Sequence, residues 1–163
     1  MSEVIVYHGG CEVVEHPVCK FGRLNLDFGQ GFYVTDMRKQ AVDWAMQVAD
    51  RRKMTPILNR YRLNRDAILK EVRCKVFVAY DREWLEFIVA SRQGKPVAMD
   101  YDYIEGGVAN DRVVDTVNLY IAGLMDLDTA LKRLSEHRPN NQMCLLNQAI
   151  TDKYLVFDGT ESI

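Results

Sequence analysis

Short runs of β-branched and aromatic residues, separated by polar loops, dominate the first third of the chain. Val4–Tyr7 predicts a buried strand that ends at His8-Gly9-Gly10, and Gly31–Thr35 predicts a second strand. Asp36, a good N-cap residue, precedes apolar residues at i, i+3 and i+4 spacing, which predict a helix ending near residues 51–53.

The remaining pattern mixes strands and helices without regular alternation. Further strands are predicted at Ile57–Leu63, Val72–Tyr80, Tyr101–Glu105, Gln142–Leu146 and Tyr154–Phe157. Helices are predicted at Glu83–Val89, Asn110–Ala122 and Asp128–His137, the last of them capped by Asp128. This order favours an α+β fold with mixed or antiparallel sheets, and a length of 163 residues suits a single domain over residues 1–163.

Composition and charge narrow the class of protein. The N-terminus lacks the pattern of a signal peptide, and no apolar run approaches the length of a membrane span, so we expect a cytoplasmic protein without a membrane partner. A net charge of −2 argues against bulk capture of nucleic acid. Between Arg38 and Arg65, however, eight basic residues stand against Asp43 and Asp50, a local charge of +6 that suits either phosphates or a solvated face.

Three motifs carry candidate chemistry. They are Tyr7-His8-Gly9, the stretch Asp27-Phe28-Gly29-Gln30-Gly31-Phe32-Tyr33 leading to Asp36-Met37, and Asn140-Asn141-Gln142 before a late strand. Their order resembles the ADP-ribosyltransferase superfamily of the poly(ADP-ribose) polymerase type, whose active site combines His, Tyr and Glu. With Glu83-Trp84-Leu85 and Val108-Ala109-Asn110-Asp111, the chain more closely resembles DUF3990, a bacterial family within that superfamily.

The resemblance implies a split, mostly antiparallel β core with flanking helices that binds NAD⁺ as co-substrate, without a metal. His8 would bind the adenosine ribose and the backbone of Gly9 the nicotinamide amide. Tyr33, with Trp44 eleven residues later, would stack on the nicotinamide ring, although Trp44 also falls on the apolar stripe of its helix and equally suits the core. Arg23 would meet the pyrophosphate.

Gln142 stands where the best-known members of the superfamily carry glutamate. A carboxylate stabilises the oxocarbenium-like charge that develops as the nicotinamide–ribose bond breaks, and a neutral amide does so less. The catalytic set His8, Tyr33 and Gln142 therefore predicts transfer of a single ADP-ribose to a macromolecular acceptor, with release of nicotinamide. Asp111, Asn110, Asp102 and Glu105 are acceptor-side candidates, although Asn110-Asp111 also suits a helix cap.

Other functions fit the same residues. The resemblance suggests the toxin of a toxin–antitoxin or phage-defence pair, with a small antitoxin protein as partner. An NAD⁺ glycohydrolase and a non-catalytic module that binds NAD⁺, ADP-ribose or a protein are the alternatives. His8, Cys11, His16 and Cys19 also form an H-x2-C-x4-H-x2-C pattern of zinc-ligand types, but its middle gap is shorter than in zinc fingers.

Overall fold

The computed structural model describes residues 3–22, 26–109 and 111–163. The strands are β1 (Val4–Gly10), β2 (Phe32–Val34), β3 (Ile57–Leu63), β4 (Cys74–Val76), β5 (Tyr103–Gly106), β6 (Gln142–Leu145) and β7 (Leu155–Ser162). The α-helices are α1 (Arg38–Arg52), α2 (Arg65–Glu71), α3 (Arg82–Arg92), α4 (Asp111–Ile121), α5 (Leu127–Leu134) and α6 (Gln148–Tyr154).

Within the described residues the strands form two sheets. One has the order β1-β3-β7 and is antiparallel, and the other has the order β2-β6-β5-β4, with only β4 and β5 parallel. One isolated pair, between Tyr7 and Thr35 just beyond β2, joins the two sheets. The α+β fold class with mostly antiparallel sheets is therefore confirmed.

The side chains of β2, β5 and β6 alternate between two apolar cores on opposite faces of their sheet. Phe32, Val34 and Met143 belong to the first core, together with Tyr61 from β3. The second core contains Ile104 and Cys144, packed against side chains of α3 and α4. Its large buried residues include Phe28, Trp84, Leu85, Ile88 and Leu134. Alternation along a strand therefore decides which core each residue joins.

Two predicted helix caps are wrong. The N-cap of α1 is Met37, which makes no side-chain capping bond, whereas Asp36 accepts a hydrogen bond from the side chain of Asn141. The N-cap of α5 is Asp126, whose carboxylate accepts the amide of Thr129, so Asp128 lies in the first turn instead. The N-cap is therefore one residue later than predicted in α1 and two residues earlier than predicted in α5.

Two short helices were not predicted. α2 and α6 are seven residues each, and each begins at an asparagine whose side chain caps it, Asn64 and Asn147. The predicted strand at Val72–Tyr80 is reduced to β4, and the last strand is longer than predicted, reaching Ser162. Short helices of one or two turns carry too few apolar positions for a 3.6-residue period to stand out.

The basic segment is mostly neutralised by ion pairs in the described part of the chain. Five of its eight cationic side chains lie within ion-pair distance of a carboxylate: Arg38, Lys39, Arg60, Arg62 and Arg65. These pairs make the segment a paired and solvated surface.

The most buried of these pairs links α2 to β5. Nε and Nη2 of Arg65 each donate to one carboxylate oxygen of Glu105 at 2.7 Å, and the hydroxyl of Tyr103 donates to the same carboxylate at 2.5 Å. Only 9 % of the Glu105 side chain is exposed. Glu105 is therefore a structural residue here, satisfied by three hydrogen bonds.

None of the helices in the described ranges is both long enough and apolar enough to cross a lipid bilayer.

We expect Arg65→Met to destabilise the fold, because it leaves the carboxylate of Glu105 buried without its ion-pair partner. The expected loss is about 2–3 kcal/mol in the free energy of unfolding, measured by urea denaturation. Arg82→Met is the matched control, since the Arg82–Glu86 pair is more than half exposed and its loss should leave the stability almost unchanged. Equal effects of the two substitutions would contradict this account.

Candidate functional site

The candidate site lies where β1 and β2 part from each other. The amides and carbonyls of Tyr7 and Thr35 bond reciprocally at 2.8 and 2.9 Å, which makes them a directly opposed antiparallel pair. Two residues further on, Gly9 would face Tyr33, but within the described residues the ladder does not continue. Instead, the ring of His8 binds the carbonyl of Tyr33. The two strands are therefore unpaired at Gly9 and Tyr33, and we call this unpaired stretch the gap.

Gly9 presents its backbone to this gap. Tyr7 uses its N–H and C=O on the β2 side, so those of Gly9, two residues along the strand, point the same way. A Cβ at Gly9 would stand 2.2 Å from the carbonyl oxygen of Ala41 and 3.0 Å from the Cβ of Ala45, both on α1. Only glycine lets α1 pack this closely on β1 while the peptide edge stays open.

The ring of His8 lies on the opposite face of β1 and is held rigidly. It stacks on Phe32, with ring centroids 4.4 Å apart, and its Nδ1 lies 2.8 Å from the carbonyl oxygen of Tyr33. Because a carbonyl only accepts, Nδ1 carries the proton, and Nε2 of the neutral ring is left as an acceptor. Burial lowers the pKa of His8 below its ordinary value, which favours this neutral form.

Tyr33 is fixed from the other side of β2. Its hydroxyl donates to the carbonyl of Gly29 at 2.8 Å and accepts the amide of Phe28 at 3.0 Å. The ring lies nearly parallel to that of Phe28, with centroids 6.4 Å apart. Burial raises the pKa of the Tyr33 phenol, so the hydroxyl stays protonated. Tyr33 is therefore a rigid, neutral aromatic surface.

Gln142 is the first residue of β6 and shares a sheet face with Tyr33. Tyr33 is opposite Cys144, and alternation places Gln142, two residues earlier, on the same face. The residue before it is anchored, because the hydroxyl of Thr35 donates to the carbonyl of Asn141 at 2.6 Å. The half-buried side chain of Gln142 makes no hydrogen bond within the described part of the chain. Its amide is therefore available to a ligand.

Trp44 lies on the solvent side of α1, 44 % exposed, with the guanidinium of Arg51 5.5 Å from its ring centroid. The core role that the helical stripe also allowed is therefore wrong. Ala41 and Ala45, its neighbours on the helix, are the residues that pack on Gly9. Trp44 lies beside that contact, and its role in stacking on a ligand stays a prediction.

The remaining predicted residues fall into two groups. Arg23, Asn110 and the side chain of Asp111 lie outside the described residues, although Asp111 begins α4. Asp102 is held by Arg73 and the amide of Asn147, and these bonds keep the pKa of its carboxyl low. Like the carboxylate of Glu105, that of Asp102 is engaged by protein groups, and its acceptor-side role stays a prediction.

Asp27 holds the loop before Tyr33 in place, a role that the sequence did not predict. Asp27 is buried, and its two carboxylate oxygens accept from Nε of Arg92 and from the amide of Ala109, both at 2.6 Å. This clamp ties the loop before Tyr33 to α3 and to the loop after β5. Its sequence signal is only an acidic residue in a loop, because the partners are 65 and 82 residues away.

The zinc-like pattern is not assembled as a metal site. Nδ1 of His8 is engaged by Tyr33, and the buried thiol of Cys19 lies 3.1 Å from the hydroxyl of Thr151. The described residues contain no group of three or more His, Cys, Asp or Glu side chains placed to hold a metal ion.

Comparison with known proteins identifies one family. The model of DUF3990, described as a protein of unknown function, matches residues 4–157, so the chain belongs to this family. A search of curated proteins finds no significant match. The matched range includes both strands at the gap, Tyr33, Trp44 and Gln142.

We expect Gly9→Ala to destabilise the protein by about 1–3 kcal/mol, because the new methyl group collides with the backbone of α1. Gly10→Ala is the matched control, since nothing lies within 4 Å of the Cβ it adds. Thermal and urea unfolding measure both variants, and the control should change by no more than about 0.5 kcal/mol. A neutral Gly9→Ala variant would refute the close packing of α1 on β1.

The lowered pKa of His8 makes stability depend on pH. Below its ordinary pKa of 6.5 the unfolded chain takes up a proton that the folded ring resists. Stability is therefore retained above pH 6.5 and lost as the pH falls below it. The free energy of unfolding of His8→Gln should fall less between about pH 7 and pH 5 than that of the unmodified protein. Identical pH profiles would show that His8 is not buried in its neutral form.

Proposed function

We propose that this member of the DUF3990 family binds NAD⁺ at the gap between β1 and β2 and transfers ADP-ribose to an acceptor. The observation that carries the proposal is the parting of the two strands after Tyr7 and Thr35, with an open peptide edge at Gly9 beside the fixed ring of Tyr33. This arrangement supports a mono-ADP-ribosyltransferase that releases nicotinamide.

The nicotinamide end of NAD⁺ matches the peptide edge of Gly9. A carboxamide has one N–H₂ donor and one C=O acceptor, and the unpaired backbone of a strand offers the complementary C=O and N–H. The ring of Tyr33 suits stacking on the flat pyridinium, and Trp44, exposed on α1, suits the second face. A bound nicotinamide would therefore be held by directional bonds on its edge and by aromatic surfaces on its faces.

His8 suits a ribose hydroxyl. Because its Nδ1–H is committed to Tyr33, its free Nε2 accepts, and a hydroxyl is a donor that such an atom binds. The stacked position on Phe32 fixes the direction of this lone pair. The role needs the neutral imidazole, which burial favours.

Gln142 would face the bond that breaks. The bond between C1′ of the ribose and the ring nitrogen breaks, its electron pair leaves with neutral nicotinamide, and the acceptor's nucleophile bonds to C1′ and loses its proton. The carbonyl oxygen of the Gln142 amide would stabilise the positive charge on the ribose ring. A neutral amide is a weak base, which favours a single transfer over chain growth. The resemblance also supports a toxin held in check by a small antitoxin protein.

Incubation of the purified protein with adenine-labelled NAD⁺ and cell extract tests the proposal. We expect nicotinamide release together with label in a macromolecular fraction, and a loss of about 10–100-fold in Gln142→Ala. Gln93→Ala is the matched control, because Gln93 is an exposed residue at the end of α3. Tyr33→Ala should abolish binding as well as release, because it removes the stacking surface.

Three other outcomes of this experiment would contradict transfer. Nicotinamide release with only free ADP-ribose would identify a glycohydrolase. NAD⁺ binding by calorimetry without release would identify a binding module. Absence of both would remove NAD⁺ from consideration.

Gln142→Glu should raise the rate of nicotinamide release by about tenfold, because a carboxylate stabilises the oxocarbenium-like charge better than an amide does. The gain should appear in kcat with little change in KM, since the extra interaction forms with the developing charge. Steady-state kinetics of nicotinamide release measure both constants. A slower Gln142→Glu enzyme would place Gln142 away from the ribose.

A further inference from the structure

A concave site borders the segment that leads into Gln142. Its volume is about 430 Å³, within the range of small-molecule sites. Apolar side chains of Met37, Val113 and Pro139 form part of its wall, and Arg112, His137 and Arg138 line it as well. We call this site the basic pocket.

The basic side chains of the pocket are unpaired among the described residues. Within the described part of the chain, the side chains of Arg112, His137 and Arg138 make no hydrogen bond or ion pair, in contrast to most of the basic segment between Arg38 and Arg65. The carboxylate of Asp36, the chain neighbour of Met37, is engaged by the side chain of Asn141. Two guanidinium groups and an imidazole around one cavity give it a positive potential in a chain of net charge −2.

The other polar side chains of the pocket are already used. The hydroxyl of Tyr80 donates to the carbonyl of Val108, and the side-chain amide of Asn140 bonds both the N–H and the C=O of the same residue. The unused hydrogen-bonding capacity of the pocket therefore lies on Arg112, His137 and Arg138. A phosphate suits this donor set because guanidinium groups bind its oxygens through paired N–H donors, and a terminal phosphate also carries close to two negative charges.

The apolar wall of the pocket indicates a ligand that has an apolar group beside its phosphate. Met37 is 45 % exposed beside the cavity, and a methionine thioether packs well on a flat ring. A nucleotide combines such a ring with a phosphate. A peptide phosphate or an acidic side chain offers the charge without the ring.

The basic pocket lies on the same side of the sheet as Gln142. Tyr80 and Val113 belong to the core that also contains Cys144, two residues after Gln142 on the same face of β6. Asn140 is two residues before Gln142, so their Cα atoms are within about 7 Å. A ligand in the pocket would therefore lie next to the amide of Gln142.

We infer that the basic pocket binds the phosphate of a nucleotide, free or within a single-stranded nucleic acid, and presents it as the ADP-ribose acceptor. The binding follows from the pocket alone, and the acceptor role rests on the proposed function.

Calorimetry with uridine 5′-monophosphate, uridine, inorganic phosphate and a twelve-residue oligothymidine tests the binding, since none of these probes carries adenine or nicotinamide. We expect the monophosphate to bind more tightly than uridine or phosphate alone. Arg112→Gln and Arg138→Gln should each weaken it by about tenfold. Arg133→Gln, which removes the same charge from an exposed residue of α5 outside the pocket, should leave the affinity unchanged.

Other results would overturn the inference. If no probe binds at millimolar concentration, or if uridine binds as tightly as its monophosphate, the pocket does not recognise a nucleotide phosphate. If Tyr33→Ala weakens the monophosphate more than Arg138→Gln does, the nucleotide occupies the gap instead. Tighter binding of the oligonucleotide than of the monophosphate would identify a nucleic acid as the source, and equal binding would identify a free nucleotide.

Labelled NAD⁺ tests the acceptor role separately. We expect the ratio of label on the acceptor to nicotinamide released to fall about tenfold in the Arg112→Gln/Arg138→Gln variant. An unchanged ratio would refute the acceptor role while leaving the binding result in place. If the unmodified protein releases no nicotinamide, the proposed function fails, and the calorimetry still decides whether the pocket binds nucleotides.

Discussion

The candidate site depends on one pair of backbone hydrogen bonds, between Tyr7 and Thr35. This pair joins the two sheets, and it is isolated because Gly9 and Tyr33 do not continue the ladder. The ring of His8 takes the carbonyl that a continuing ladder would use, and α1 crowds the backbone of Gly9 on the other face. A longer ladder would close the gap, and a missing pair would separate the sheets. One pair holds both strands while leaving a peptide edge free.

Packing and candidate chemistry are therefore carried by the same residues. Gly9 is required by the close approach of α1, and its open backbone is the feature that suits an amide ligand. The hydroxyl of Tyr33 is consumed in anchoring the loop before it, which leaves only the ring face for a ligand. Asp27 extends this anchoring to α3 and to the loop that follows β5. Substitutions here will change stability and ligand binding together, so the proposed variants need unfolding measurements beside activity.

Local patterns predicted the elements at the site well. β1 and β2 each contain a run of β-branched and aromatic residues, and α1 has apolar residues at helical spacing. The α+β class was predicted from the order of the strands and helices along the chain. The sequence did not reveal contacts between distant positions. The partners of Asp27, the capture of Asp36 by Asn141 and the pairing of Arg65 with Glu105 join residues 40 to 105 positions apart. The burial of Trp44 was ambiguous for the same reason, since a helical stripe does not tell which side the sheet covers.

The two sites differ in charge, and this difference gives the proposals a common electrostatic logic. His8 is held neutral by burial, the phenol of Tyr33 stays protonated, and Gln142 is an amide, so these three groups bring no formal charge to the gap. A site of dipoles and aromatic faces tolerates the positive nicotinamide of NAD⁺ without binding it as tightly as carboxylates would. Arg112 and Arg138, which make no ion pair within the described residues, lie apart, in the basic pocket. Under the two proposals, a phosphate-bearing acceptor would bind at the basic pocket, apart from the face where positive charge develops on the ribose, and no moving part would be needed to separate acceptor from donor.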